Sequence, residues 1–200
     1  MEAHLRAGVA VYNAGHYHAA HDAWEDHWLD LPAGEDRDFL QGLIQFTAAV
    51  HHTTEDNADG AAGLAESALE YLDGLGERYR GVDLAPVREH LAAVETAPLD
   101  AGDPPRLTHD GDALALSDLE FEATAVAAAV LAEAFGYDEA TVEQGVDYAR
   151  DDLGEPGRSP FVALVFDFVR DGEHRPMVVQ RLGEHIDRRR QRERDVEGLF

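Results

Sequence analysis

Apolar residues recur every three to four positions through most of the chain, the spacing of helices with one buried face. Leu5, Val9 and Tyr12 mark a first helix that Asn13-Ala14-Gly15 stops. A second is expected over 16–31, with Tyr17, Ala20, Trp24, Trp28 and Leu31 on one face and Pro32-Ala33-Gly34 ending it. A third covers 39–54. Asn57 is placed to cap a fourth, with Leu64, Ala68, Leu72, Leu75 and Tyr79 as its buried positions. Asp83 caps a fifth, with Val87, Leu91 and Val94 inward. From 98 to 116 the text turns to Asp, Gly and Pro, which predicts a linker or long loop. Ser117-Asp118-Leu119-Glu120 has the pattern of a capping box that opens an Ala-rich helix to about Phe135. Further helices follow Asp138 and about Pro176. The run Phe161–Val169 fits either a helix begun by Ser159-Pro160 or a buried strand. No pair of alternating strands joined by a hairpin turn is evident. The expected fold is all-α: a five-helix N-terminal bundle over 1–97, the linker at 98–116, and a smaller helical C-terminal unit over 117–200.

Charge changes this picture. The 200 residues carry 41 Asp and Glu against 16 basic residues, a formal net charge of −25, and every basic residue is Arg. At low ionic strength such a charge opposes the compact state by self-repulsion. At about 1 M salt the screening length falls to roughly 3 Å and the repulsion largely disappears. The Lys-free, acid-rich composition is similar to that of proteins from extreme halophiles. An acidic disordered chain would lack the apolar periodicity seen here. The field also argues against a nucleic-acid partner, since phosphate binding needs a basic face. The Arg-rich end pairs as Glu184–Arg188 and Arg189–Glu193, four residues apart, which reads as a solvated helix. No Cys is present, so thiol chemistry is excluded. No apolar stretch is long enough to span a membrane, and the first residues lack the flank and core of a signal peptide. A cytoplasmic location is the expectation.

The helix over 39–54 carries no formal charge, in a chain that is 28% charged. Phe39, Leu43, Phe46 and Val50 form its apolar face; Gln41, Gln45, Ala48 and His52 form a narrow stripe nearly opposite. Buried amides and imidazoles need partners. On the preceding helix His21 and Glu25 are four apart and share a face. Imidazole and carboxylate together suit a divalent, zinc-like ion. His21, Glu25 and His52 are therefore candidate metal ligands, and Gln41, Gln45 and Trp24 candidate contacts for a small molecule. The same residues also fit a structural hydrogen-bond network with no ligand. His16, His18, His27 and His51 are expected at the surface, with His18 as a spare ligand.

The blocks Asn13–Trp28, Phe39–Gln45, His52 and Asn57–Ala61 resemble, in order, the signature of domain-of-unknown-function family 309, over roughly 3–97. The resemblance implies a compact helical bundle, and some such proteins are labelled as metal-dependent hydrolases. The family's usual His-Glu pair reads His21-Asp22 here, one methylene shorter. A near-match to a calcium loop runs from Glu55 to Glu66, but Asn57 as a cap would start a helix inside it. Two functions remain at this level. One is a non-catalytic or small-ligand-binding module; the other is a metal-dependent hydrolase in which the ion lowers the pKa of a bound water. The sequence leaves oligomeric state open.

The charge argument has a direct consequence. The unfolding midpoint should rise steeply with potassium chloride up to molar concentrations. A midpoint that stays flat from low to molar salt would remove the argument.

Overall fold

A computed structural model describes residues 1–154 and 159–197. Residues 155–158 and 198–200, within the C-terminal unit expected over 117–200, lie outside the described residues. The fold is all-α. Its elements run α1 (Glu2–Asn13), α2 (Tyr17–Leu29), α3 (Glu35–Thr54), α4 (Ala58–Leu72), β1 (Arg78–Tyr79), β2 (Val82–Asp83), α5 (Ala85–Thr96), α6 (Phe121–Ala134), α7 (Glu139–Asp151), α8 (Pro160–Arg170) and α9 (Arg175–Glu197). The chain divides into two compact units, Met1–Leu119 and Glu120–Phe200.

In the first unit each helix packs on the next, α1 on α2, α2 on α3, α3 on α4 and α4 on α5. Seven consecutive-turn positions of α1, among them Leu5, Val9 and Tyr12, are buried, so α1 is a core helix rather than a surface one. Its approach to α2 is set by Gly8: a Cβ there would lie 2.0 Å from Trp24 Nε1. Trp24 is fully buried and its indole N–H donates to Leu5 O at 3.4 Å. Gly42 of α3 makes the same allowance for Leu72 of α4, where a Cβ would lie 2.5 Å from the leucine. The last turn of α1 is held by Asn13. Its amide N–H group donates to Leu107 O and Leu114 O at 2.9 and 3.0 Å, and its oxygen accepts from Leu107 N at 2.8 Å. That engages both donors and the acceptor of one side chain, and residues 98–119 form part of this unit.

Several local expectations need correction. α3 begins at Glu35, four residues before Phe39, because Gly34 (φ +147°) turns the chain and Glu35, Asp36 and Asp38 suit the positive end of the helix dipole. α4 stops at Leu72, with Gly74 in the left-handed region. Leu75 therefore leaves the helix, and Tyr79 sits in a two-stranded ladder with β2. This short hairpin was not expected. Arg80 and Gly81 both have positive φ (47° and 82°), which gives the twist-matched turn usually written with Asn-Gly. Asp83 does accept from Ala85 N at the start of α5. The capping-box residues Ser117–Glu120 do not cap α6. Asp118 Oδ2 instead accepts from Ala115 N across a 3-10 turn, and α6 starts at Phe121.

The second unit contains α6 to α9. The ambiguous run 161–169 is helical, because Ser159 Oγ accepts from Phe161 N and Val162 N and Pro160 sets the first turn. Arg175 is buried, with its guanidinium under Phe135 and donating to Phe168 O at the end of α8.

The α1–α2 contact predicts a large single-site effect. Gly8→Ala should destabilise the protein by about 3 kcal/mol, the upper part of the range for overpacking, since a rigid buried indole must move. Gly63→Ala on open helix surface should be neutral or slightly stabilising. Urea unfolding in molar potassium chloride measures both; equal effects would show that the close approach carries no weight.

Candidate functional site

One side of α2 collects the chemistry. With Trp24 committed to α1, helical geometry places His21, Glu25, His18 and Asp22 within about 100° of arc beside it. The short connection from Leu29 to Glu35 brings α3 back along α2. The two helices enclose a cleft of about 330 Å³, lined by Tyr17, His18 and His21 of α2, by Thr47, Ala48, His51 and His52 of α3, and by Glu55.

Asp22 is the hub of the α2 group. His21 Nδ1 donates to its Oδ1 at 2.9 Å and His18 Nδ1 to its Oδ2 at 3.0 Å. The hydrogen bond to Asp22 raises the His21 pKa above the ordinary imidazole value; partial burial opposes it, and the charges of Asp22 and Glu25 reinforce it. Burial alone would push the Asp22 carboxyl up. The bonds and charges of His21 and His18 overcome this and hold it below the usual carboxylate value. His21, Asp22 and Glu25 each offer a ligand atom, and these atoms lie within 4.8 Å of one another. A carboxylate has about four lone-pair sites, so two imidazoles leave Asp22 room for a third partner.

The expected site residues are distributed as follows. His21 and Glu25 come together, with Asp22 as their companion. His52 shares the cleft with His21. Its Nδ1 faces Asn57 Nδ2 at 2.8 Å. Gln45, one turn below Ala48 on the same stripe, has its Oε1 buried with no hydrogen-bond partner among the described residues. Gln41 is half-buried further along that stripe. Trp24 is turned away, fully buried against α1. His18 and His51, expected at the surface, both line the cleft, His18 exposed and His51 half-buried, and His51 Nε2 meets Glu55 Oε1 at 3.5 Å. Asp22 is absent from the residues expected from sequence because its side chain, one methylene shorter than Glu, reads there as a loss of reach. That same length lets it hold its neighbours His18 and His21 at once. The calcium-loop match fails: Asn57 Oδ1 accepts from Gly60 N, and α4 begins at Ala58 within the twelve residues.

The family model described as "Domain of unknown function (DUF309)" matches residues 5–64, which carry α1, α2, α3 and the start of α4. An uncharacterized protein of Aquifex aeolicus (strain VF5) is 26% identical over 106 residues, covering 53% of this chain and 32% of its own length. The chain thus spans about a third of the length of that relative.

The His21–Asp22 pair makes stability pH-dependent in a defined window. The raised His21 pKa contributes stability present below 6.5 and lost as pH rises through its folded value. The lowered Asp22 pKa contributes stability present above 3.8 and lost as pH falls through its folded value. In metal-free protein the gap between the native chain and Asp22→Asn should be widest between these values. It should be about 1 kcal/mol or less, given the partial exposure. Thermal melts from pH 4 to 8 measure it, and a gap that grows towards pH 8 would contradict the pairing.

Proposed function

We propose, for a chain whose residues 5–64 match a family without an assigned role, that this is a metal-binding helical module that admits a small ligand beside the ion. Three convergent ligand atoms on one face of α2, beside the cleft, carry the reading. The donor set is one imidazole and two carboxylates, without thiols. That mixture suits zinc, manganese or cobalt rather than the soft monovalent metals. Two carboxylates would neutralise the charge of a divalent ion, which makes its partial burial tolerable. Asp22 is read here as a ligand: an ion would replace the proton that its carboxylate now shares with His21 Nδ1.

His52 is not part of the ligand set in this reading. Its Nδ1 is occupied by Asn57, and its place is taken by Asp22. An ion at the site would supply an open coordination position and, with a bound water, a nucleophile near neutral pH. The chain's own residues position and enclose: Asp22 holds the His18 ring, and Tyr17 and His52 border the ligand space. No separate carboxylate is assigned as a general base, which is why binding rather than hydrolysis is the function proposed.

The test is metal content after equilibrium dialysis against zinc in molar potassium chloride, on protein purified without a nickel column. One equivalent is expected. His21→Ala and Glu25→Gln should each weaken binding by more than about tenfold while the helical circular-dichroism spectrum persists. Retention of zinc by neither the native chain nor its variants, or equal retention by all, would overturn the proposal.

A further inference from the structure

Four imidazoles line the cleft, and they are not equivalent. Three are held by carboxylates. Asp22 takes Nδ1–H of both His18 and His21, and Glu55 faces Nε2 of His51. A neutral ring that donates one N–H to a carboxylate presents its other nitrogen as an acceptor. His52 has a different neighbour. Asn57 caps α4, and its Oδ1 accepts from Gly60 N at 3.1 Å. That bond settles which end of the amide is oxygen, and the end facing His52 Nδ1 at 2.8 Å is therefore the N–H donor. A donor facing Nδ1 requires a lone pair there. The proton of neutral His52 then sits on Nε2, the remaining ring nitrogen of a residue that lines the cleft.

From this we infer that His52 Nε2–H is the hydrogen-bond donor with which the cleft holds an acceptor oxygen of its ligand, and that Asn57 is the positioning residue that makes it a donor. The ligand class is one that presents a carboxylate or phosphoryl oxygen, as opposed to an amine or ammonium group. Donor ligands would instead meet the acceptor nitrogens of His18 and His21. The inference rests on the proposed reading of the cleft as the ligand space, but not on an ion being bound. A second donor group stands in the same lining: Tyr17 contributes a hydroxyl.

One substitution reverses the device without removing the cap. Asp caps a helix as well as Asn does, so Asn57→Asp keeps the bond to Gly60 N while replacing the amide N–H by a second acceptor. The His52 proton should move to Nδ1. Long-range proton–nitrogen correlation spectra of histidine-labelled protein at about pH 8, where a free imidazole is neutral, read this directly. The expected result is an Nε2–H tautomer in the native chain and Nδ1–H in Asn57→Asp. Acetate and inorganic phosphate are then titrated separately into metal-free and zinc-dialysed protein, which distinguishes a carboxylate from a phosphoryl ligand. Binding of at least one should weaken about tenfold in Asn57→Asp and in His52→Ala, the effect of losing one well-placed donor. His52→Gln, whose amide still donates, should retain most of it. An Nδ1–H tautomer in the native chain would overturn the inference. So would failure of both anions to bind, or equal affinity across the variants. Absence of zinc from the native chain would overturn the metal reading alone, since the tautomer and the anion titration are also measured without metal.

Discussion

The contact between Gly8 and Trp24 governs much of the first unit. A side chain of any size at position 8 would meet the indole ring at 2.0 Å, so α1 and α2 approach with bare backbone on one side and the largest side chain on the other. The indole N–H donates to Leu5 O, which fixes the ring's direction as well as its depth. Once Trp24 is committed to α1, the rotation of α2 about its axis is decided. The arc that follows Trp24, carrying His21, Glu25, His18 and Asp22, can only face α3 and solvent. Dispersion and burial at one tryptophan thereby aim the polar groups of the candidate site.

The acidic composition takes on a second meaning at this site. In the sequence it reads as a surface adapted to salt. In the structure some of the same carboxylates hold imidazoles: Asp22 holds His18 and His21, Glu55 faces His51, and Asp171 bonds His174 in the second unit. His90 follows the other course. It is buried edge-on to Phe46, and desolvation pushes its pKa down, so folding favours its neutral form. One residue type is tuned in opposite directions within one unit by a carboxylate or by its absence from the immediate surroundings.

Helical periodicity made the fold class and most helix positions legible, because Leu5, Val9, Phe39, Leu43, Phe46 and Val50 each repeat with the period of the face they bury. Glycine and left-handed geometry hid the rest. The Arg80-Gly81 turn lacks the usual residue signal, and the end of α4 is set by Asp73-Gly74 while the apolar spacing runs on to Leu75 and Tyr79. At the candidate site, the i,i+4 relation of His21 and Glu25 was readable, as was the polar stripe of α3. Two features were not. Trp24 looked like a ligand contact because nothing in its spacing reveals the Gly8 groove. Asp22 looked too short to matter because sequence spacing says nothing of a carboxylate held by rings on both sides.

Asn57 shows how a residue can serve structure and chemistry through one side chain. Its oxygen is required by the first turn of α4, where Gly60 N would otherwise be an unsatisfied donor. The cap leaves the amide nitrogen pointing back along the chain, and α3 ends so that His52 meets it five residues away. In a chain with 41 carboxylates the commonest neighbour for an imidazole is an acceptor, and an acceptor on Nδ1 would leave Nε2 bare. Among the four rings that line the cleft, the amide inverts that default at His52. His52 therefore differs in hydrogen-bond polarity from the other three imidazoles that line the cleft, although all four are the same residue type. The difference originates in a helix cap, a feature whose first purpose is to begin α4.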